Sequence, residues 1–559
     1  MIVVVLLFMA AAAIAAANWY FVELSSRGPS VTSDAPADAQ EGPLFLQQAC
    51  TLPPEWVTLT DRGWMPGGPR DDDIIIIPNP PNYIGGFINT SHSGPYDFLQ
   101  DVPLVFYGRG YVDPQGHVDL GRETTLADLA PTYAQLMDFD FPRREGRPVE
   151  GIWRDNREPP ALIVTGVIDG GGWNVLNRWP DAWPNLAKLI ERGANIDGAI
   201  VGSSPSVTPA THTNLSTGTF PRRHGATAIL VRGDDGSITG AFSQDERYAG
   251  PDVDPGVSLR VTTLADLWDR ANSNEPLAGM LSSFSYPLGM IGRGAAIRGG
   301  DHDIVVIEDE GVWATDPEFY SMPEYLNTEV AGPEQDVQEV DLRDGVDDEL
   351  WRGHEIAPLD ATPAFAPWQT RTITELFARE GFGADDLTDL FYINYKSPDE
   401  AGHKWNMIGP EQSDVLISVD DAIGDLVKWL DETVGRDRYL LVLTADHGQT
   451  PLEAGGWPIN RNELLADLAR EFDDHINHNG IIDDTTATVL YSDVTEMKRN
   501  GVTPEEVSSF LSTYTIGDNI AEDADVPEEF RDRVDELIFR GVFPGRALPE
   551  IMECTGARP

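Results

Sequence analysis

Four short segments of this sequence carry side chains able to hold a divalent cation. Asp169 closes the apolar run ALIVTGVID and is followed by three glycines. The segment SPSVTPATH sets the hydroxyl of Thr208 on a turn, and PDEAGH gives Asp399 and His403, four residues apart and hence on one face of a helix. ADHG gives adjacent Asp446 and His447 just past the run YLLVLT. Each has a plain alternative when taken alone. A DG or DHG after a strand is commonly a turn, an Asp and His four apart is a common surface pair, and Thr208 could cap the helix that follows it. Together, Asp and His beside a free hydroxyl suit two Zn²⁺ ions held by mixed nitrogen and oxygen ligands. A threonine hydroxyl needs such help, because it is a poor nucleophile until a metal or base takes its proton.

These residues need strand ends to stand on. The runs Ala161 onward, Leu390 to Tyr395 and Tyr439 to Thr444 are continuously apolar, as strands buried on both faces are. Ile74 to Ile77 and Val102 to Tyr107 read likewise, the first bounded by Asp73 and Pro78. Helical spacing covers 126–137, with Thr125 as a plausible N-cap, then 184–192, and roughly 413–433, where Leu416, Val419, Ile423, Leu426 and Leu430 share a face. Alternating strands and helices predict an α/β fold with a mostly parallel sheet sandwiched by helices, and ligands at the carboxyl ends of its strands. Residues 230–385, with weaker periodicity and many Gly, Pro and Asp, read as a cap insertion over the site. No internal repeat is present.

Composition limits what the site can serve. The chain has 559 residues, 41% of them hydrophobic, enough for one large core or two medium ones. Its net charge of −53, from 92 acidic against 39 basic residues, repels nucleic acid and anionic membranes, so no nucleic-acid binding is expected. A phosphate ester would be repelled too, unless bound cations reverse the local field. Residues 1–22 carry no charged side chain and read as a signal peptide or a membrane anchor, which places the rest of the chain outside the cytoplasm. A buried core helix is the alternative. Residues 26–70 read as a linker and 546–559 as a tail. The only cysteines are Cys50 and Cys554. In an exported chain they invite a disulfide, with two free thiols as the other reading.

The order DG, PSVTPATHTNLSTGTFPRRHG (205–225), PDEAGH (398–403), ADHG (445–448) resembles the alkaline phosphatase superfamily, and within it the nucleotide pyrophosphatase/phosphodiesterase branch. WPNLAKLIERGA (183–194) and GPEQSDVLISVDDAIGDL (409–426) resemble it as well. The resemblance implies one metal, zinc in most such sites, held by Asp169, Thr208, Asp446 and His447. A second would be held by Asp399, His403 and one further histidine, with Thr208 as the nucleophile. The family places that last histidine downstream of ADHG, where only His475 and His478 remain and their surroundings do not match. The matching segment comes earlier: SHSGPYDFLQDVPLVFYGRG (91–110), preceded by DDDIIIIPNPPNYIGG (71–86) and followed by TTLADLAPTYAQLMDFDFP (124–142), resembles the family's closing portion. His92 thus becomes the seventh ligand, and the catalytic domain (160–545) a circularly permuted one whose C-terminal segment lies at 71–150. Cys50 and Cys554 would then flank the new ends and stand close together.

The activity this implies is hydrolysis of a small phosphate ester, as a phosphodiesterase or nucleotide pyrophosphatase. A phosphomonoesterase with the same two-metal site is the second reading, and an inactive cell-surface binding protein the third. One departure bears on the choice: HGATAILVRGDD lacks the asparagine that nucleotide-cleaving relatives carry there. His212 and His224 fit structural hydrogen bonding better than catalysis. Trp173 and Trp405 are read first as packing and secondly as covers for a leaving group. Arg109 and Lys396 are read as salt-bridged or phosphate-binding.

Overall fold

The computed structural model describes residues 42–85, 91–155, 157–243, 250–451, 455–473, 480–521 and 524–558. The N-terminal apolar run, residues 26–41 of the expected linker, and His475 and His478 lie outside them. Among the described residues no helix is long and apolar enough to cross a membrane.

A nine-stranded sheet carries the site. Its strands are β1 (Leu104–Tyr107), β2 (Gly116–Val118), β3 (Leu162–Ile168), β4 (Ala194–Ile196), β5 (Ala278–Ser282), β6 (Ile304–Asp309), β7 (Val312–Ala314), β8 (Asp389–Tyr395) and β9 (Tyr439–Thr444). The order across the sheet is β7-β6-β5-β8-β3-β9-β1-β4-β2. β6, β5, β8, β3 and β9 run parallel, while β7 and β1 run against their neighbours. Alternate residues of β3 enter two cores: Ile163 and Val167 on one face, Leu162, Val164 and Ile168 on the other. Cover on both faces explains why these strands read as unbroken apolar runs. The mostly parallel α/β sheet is as expected.

A smaller antiparallel sheet joins an early segment of the described residues to a late one. Ile74–Pro78 lies between Val489–Ser492 and Phe539–Pro544, with Ile482–Thr485 at the edge. Ile75 and Ile77 pack with Phe45, Cys50 and Phe543, whereas Ile74 and Ile76 pack with Trp457, Leu464 and Leu490.

Three of the expected segments hold regular elements that their composition does not suggest. Within the linker at 26–70, Leu44–Ala49 and Pro54–Gly63 are helices with Phe45, Leu46 and Val57 buried. Pro54 opens the second helix, where the N–H it lacks would go unpaired, and Pro43 and Pro53 stand just ahead of the two helices. Of the cap at 230–385, β5, β6 and β7 belong to the central sheet, and helix Phe365–Glu380 packs on its face. Those strands are set among Gly, Pro and Asp, and β6 itself ends in Glu-Asp, which blurs their period. The tail at 546–559 contains helix Leu548–Thr555, with Ile551 buried and Cys554 bonded to Cys50. Thr125 precedes a short 3₁₀ turn but makes no capping bond.

Candidate active site

The central strands β8, β3 and β9 are neighbours, and each delivers part of the site at its carboxyl end. Asp169 is the first residue past β3, its N–H donating to the Tyr395 carbonyl at 3.0 Å. Gly170 follows with φ +66°, a left-handed conformation that costs glycine nothing. The turn lets the Gly170 N–H reach Asp446 Oδ1 at 3.0 Å. β8 runs into helix Ser397–Trp405, which holds Asp399 and His403 one turn apart. Asp446 and His447 follow β9. The next residue must be glycine, since a Cβ at Gly448 would lie 2.1 Å from the Phe98 carbonyl oxygen.

The carboxylates and imidazoles converge. His403 Nε2 is 3.3 Å from Asp399 Oδ2, and His92 Nε2 is 3.6 Å from Asp399 Oδ1. His447 Nε2 is 3.2 Å from Asp446 Oδ2 and 3.7 Å from Asp169 Oδ1. The His92 ring stacks on His447 with centroids 3.6 Å apart, so the two ligand groups share a wall. Thr208 is the first residue of helix Thr208–Thr217, and Val207, not Thr208, occupies the capping position. The capping alternative for its hydroxyl is therefore not what the helix uses. One turn on, His212 Nδ1 donates to the Thr208 carbonyl at 2.9 Å and lies 3.6 Å from Asp446 Oδ2.

His92 is stitched in from the N-terminal side. Its Nδ1 donates to the Ser206 carbonyl at 2.9 Å, which leaves Nε2 bare and aimed at Asp399. The Thr450 N–H donates to the Ser91 carbonyl at 3.1 Å, and Gln100 Nε2 bonds the Gly94 and Ser203 carbonyls at 3.0 Å each. The segment thus lies between the Thr208 loop and the loop after β9.

Three groups beyond the expected ligands enter the centre. Lys396 Nζ lies 2.5 Å from Asp399 Oδ2 and 3.3 Å from Asp169 Oδ1, so it is buried and paired with the site's own carboxylates. Asn394 Nδ2 donates to Asp169 Oδ2 at 2.7 Å and faces His212 Nε2 at 3.1 Å. His212 itself belongs to the site's edge. Asn394 and Lys396 stand in NYKSPD, just before the motif, where one face of the strand and the next turn point the same way as Asp399. Other candidates stay outside. Arg109 is exposed beyond β1. Trp173 packs on Trp183, Trp405 on Trp351 and His354, and His224 bonds Asn214.

The centre is short of positive charge. Burial, and then Asp446, push Asp169 up to about 8. Burial alone would lower His447, but Asp446 beside it outweighs this and lifts it to about 9. Burial would also lower Lys396, yet Asp169 and Asp399 hold its ammonium well above the usual range. Burial, then His447, keeps His92 neutral well below the usual imidazole value. Asp399 Oδ1, Asp446 Oδ2 and His447 Nε2 are all sealed from solvent without a hydrogen-bond partner among the described residues. Such atoms cost about 1–3 kcal/mol each unless something binds them. His92, Asp399 and His447 form one group with ligand atoms within 4.8 Å of one another, and Asp169, His212 and Asp446 form a second. Nitrogen and oxygen donors left bare in two adjoining clusters fit two divalent ions.

A family model, type I phosphodiesterase / nucleotide pyrophosphatase, matches residues 166–539. Among curated proteins, alkaline phosphatase PhoV of Synechococcus elongatus is 23% identical over 344 residues, 52% of this chain and 59% of PhoV. Alkaline phosphatase PafA of Elizabethkingia meningoseptica is 38% identical over 66 residues, 12% of either chain. The chain thus spans under two thirds of the length of these relatives. The crystal structure of wild-type PafA superposes with a TM-score of 0.50 at 17% identity, covering 69% of this chain and 84% of that one. The chain belongs to the type I phosphodiesterase / nucleotide pyrophosphatase family, within the alkaline phosphatase superfamily.

Proposed function

We propose that this protein is an extracytoplasmic hydrolase of small phosphate esters, with Thr208 as nucleophile and two divalent ions, zinc by ligand type. Asp169, Asp446, His447 and Thr208 would hold one ion; Asp399, His403 and His92 the other. The observation that carries this reading is the convergence of buried donor atoms on Asp399, Asp446 and His447, none of them hydrogen-bonded among the described residues beyond the His447–Asp446 contact at 3.2 Å. When bound, such ions supply Lewis-acid polarisation of the phosphoryl oxygens and lower the pKa of an attached hydroxyl or water.

The chain's own residues do the rest. Helix Thr208–Thr217 fixes the Thr208 hydroxyl at its first turn, and His212 anchors that turn to Asp446. Attack by Thr208 on phosphorus forms a phosphothreonine and expels the alcohol. In-line attack by water then releases phosphate, or a phosphate monoester, and restores the threonine. Asn394 holds Asp169 in place. With Asp169 and Asp399 shared with bound cations, Lys396 beside them would be a cation available to phosphate oxygens. It is suited to the part of the absent asparagine.

A diesterase is the first reading, from the family description. A monoesterase is the second, favoured by the missing asparagine and by two relatives that are named alkaline phosphatases. We also propose that the domain is circularly permuted, which is supported by β1 pairing with β9 and by His92 reaching the site ahead of the matched residues. The deciding experiment counts zinc per chain and compares hydrolysis of bis-p-nitrophenyl phosphate with p-nitrophenyl phosphate. Two zinc ions and faster diester turnover are expected. Faster monoester turnover selects the second reading, and no metal with no turnover of either rejects both.

A further inference from the structure

One buried amide touches the chain beside most of the candidate ligands. Gln449 follows Asp446 and His447 in the loop after β9 and is 2% exposed. Its Nε2 donates to the Gly170 carbonyl at 3.2 Å and to the Pro398 carbonyl at 2.9 Å. Gly170 is the neighbour of Asp169, and Pro398 that of Asp399. The Oε1 of the same amide lies against Gly402, the neighbour of His403, where a Cβ would stand 1.8 Å from it. A Cβ at Gly170 would be 2.7 Å from Gln449 Nε2 and 3.1 Å from Asp399 Cβ. Both positions therefore need glycine for the three segments to close on this side chain. The next residue continues the pattern, since the Thr450 N–H holds the Ser91 carbonyl beside His92.

The amide is fixed in one orientation. A primary amide nitrogen has two hydrogens, and here each has a carbonyl to meet. The backbone of Gln449 is held as well, by Asn174 on helix Trp173–Arg178. Asn174 Nδ2 donates to the Gln449 carbonyl at 2.6 Å, and the Gln449 N–H donates to Asn174 Oδ1 at 3.4 Å. Neither side-chain bond of Gln449 ends on a ligand atom; both end on backbone one residue away from a ligand. Such bonds set where the loops stand relative to each other and leave the charge of each ligand alone. A centre of this kind works only while its ligands are held within about 0.5 Å of the productive arrangement.

We infer that Gln449 is a positioning residue of the two-ion centre proposed above, on which its role depends. It joins the loop of Asp169 to the helix of Asp399 and His403, and so sets the separation of the two ions. The plain alternative is a buried amide that contributes stability alone, and the two roles differ in what they move.

The test compares the zinc-loaded full chain with Gln449→Met, which keeps the length of the side chain and removes both N–H donors. Zinc per chain, the zinc–zinc distance from X-ray absorption, the Tm, and steady-state hydrolysis of bis-p-nitrophenyl phosphate and p-nitrophenyl phosphate are measured. Two zinc ions in both proteins and a shifted zinc–zinc distance in the variant are expected. Its kcat should fall about 10–100-fold with KM changed by less than about threefold. If Gln449→Met does not fold, Asn174→Ala, at a half-buried position, should show the same shift to a smaller degree. A lowered Tm with the zinc–zinc distance and kcat of the wild type would overturn this role and leave Gln449 a structural amide. A wild type with neither zinc nor turnover would instead sink the two-ion reading itself.

Discussion

At the scale of single residues, the site is defined by atoms that lack partners. Among the described residues the buried Asp399 Oδ1, Asp446 Oδ2 and His447 Nε2 meet only other candidate ligands of the site and His212, while the other nitrogens of His92 and His447 are tied to carbonyls. Fixing one ring nitrogen in this way aims the other. Thr208→Val, which keeps shape and removes the hydroxyl, should lower kcat by more than about a thousandfold with zinc content unchanged. Steady-state kinetics beside metal analysis checks this, and a loss of zinc equal to the loss of rate would mark Thr208 as a ligand only. The seven ligand candidates were legible because each sits in a short local pattern. Lys396 was legible as well, as salt-bridged or phosphate-binding, but Asn394 and the second contact of His212 were not. Asn394 matters through Asp169, 225 residues away, and His212 through Asp446 past another strand, and only strand pairing brings them together.

At the scale of elements, side chains from one element finish another. Helix Pro184–Arg192 makes no capping bond of its own. Instead Asp420, on helix Pro410–Leu430, accepts the N–H groups of Asn185 and Leu186, both at 2.8 Å. Asp420→Ala should therefore cost about 1–2 kcal/mol in urea unfolding, the usual loss for a helix cap. Both helices were readable from their apolar spacing, but the cap between them was not, because it joins residues with no sequence relation. Asp73, at the entry to strand Ile74–Pro78, accepts from Arg232 Nε at 2.9 Å. Burial nevertheless pushes its carboxyl up to about 7, from an ordinary 3.8. A raised carboxyl favours the fold only while protonated, so this group withdraws stability as pH rises from about 4 to 7. Arg232→Met removes the one cation that opposes the rise. It should destabilise by about 3–5 kcal/mol at pH 8, the cost of a buried charge stripped of its partner, and by less at pH 5. An equal loss at both pH values would show that Arg232 acts through packing instead.

At the scale of the whole molecule, segments near the two ends of the described residues close on each other. Strand Ile74–Pro78 pairs with Phe539–Pro544, and Cys50 is bonded to Cys554 across 504 residues of sequence. Replacing both cysteines by serine should lower stability by about 2–5 kcal/mol, seen as a lower Tm, with little effect on turnover, since the bond lies away from the catalytic residues. The α/β class was legible because strands covered on both faces must be apolar throughout. The cap boundaries were not, since β5 carries a Gly and ends in Ser and β6 ends in Glu-Asp, which breaks the apolar run that marks the other strands. The packed helices at 44–63 were hidden by their own prolines. The central claim is that an N-terminal histidine completes a metal centre whose other ligands come from 169–447. It is tested most directly by metal content and diester turnover of His92→Ala beside the wild type. The expected result is one zinc ion in place of two and a loss of turnover of at least about a hundredfold, with the Tm of the metal-free protein unchanged. Two retained zinc ions and wild-type turnover would contradict it.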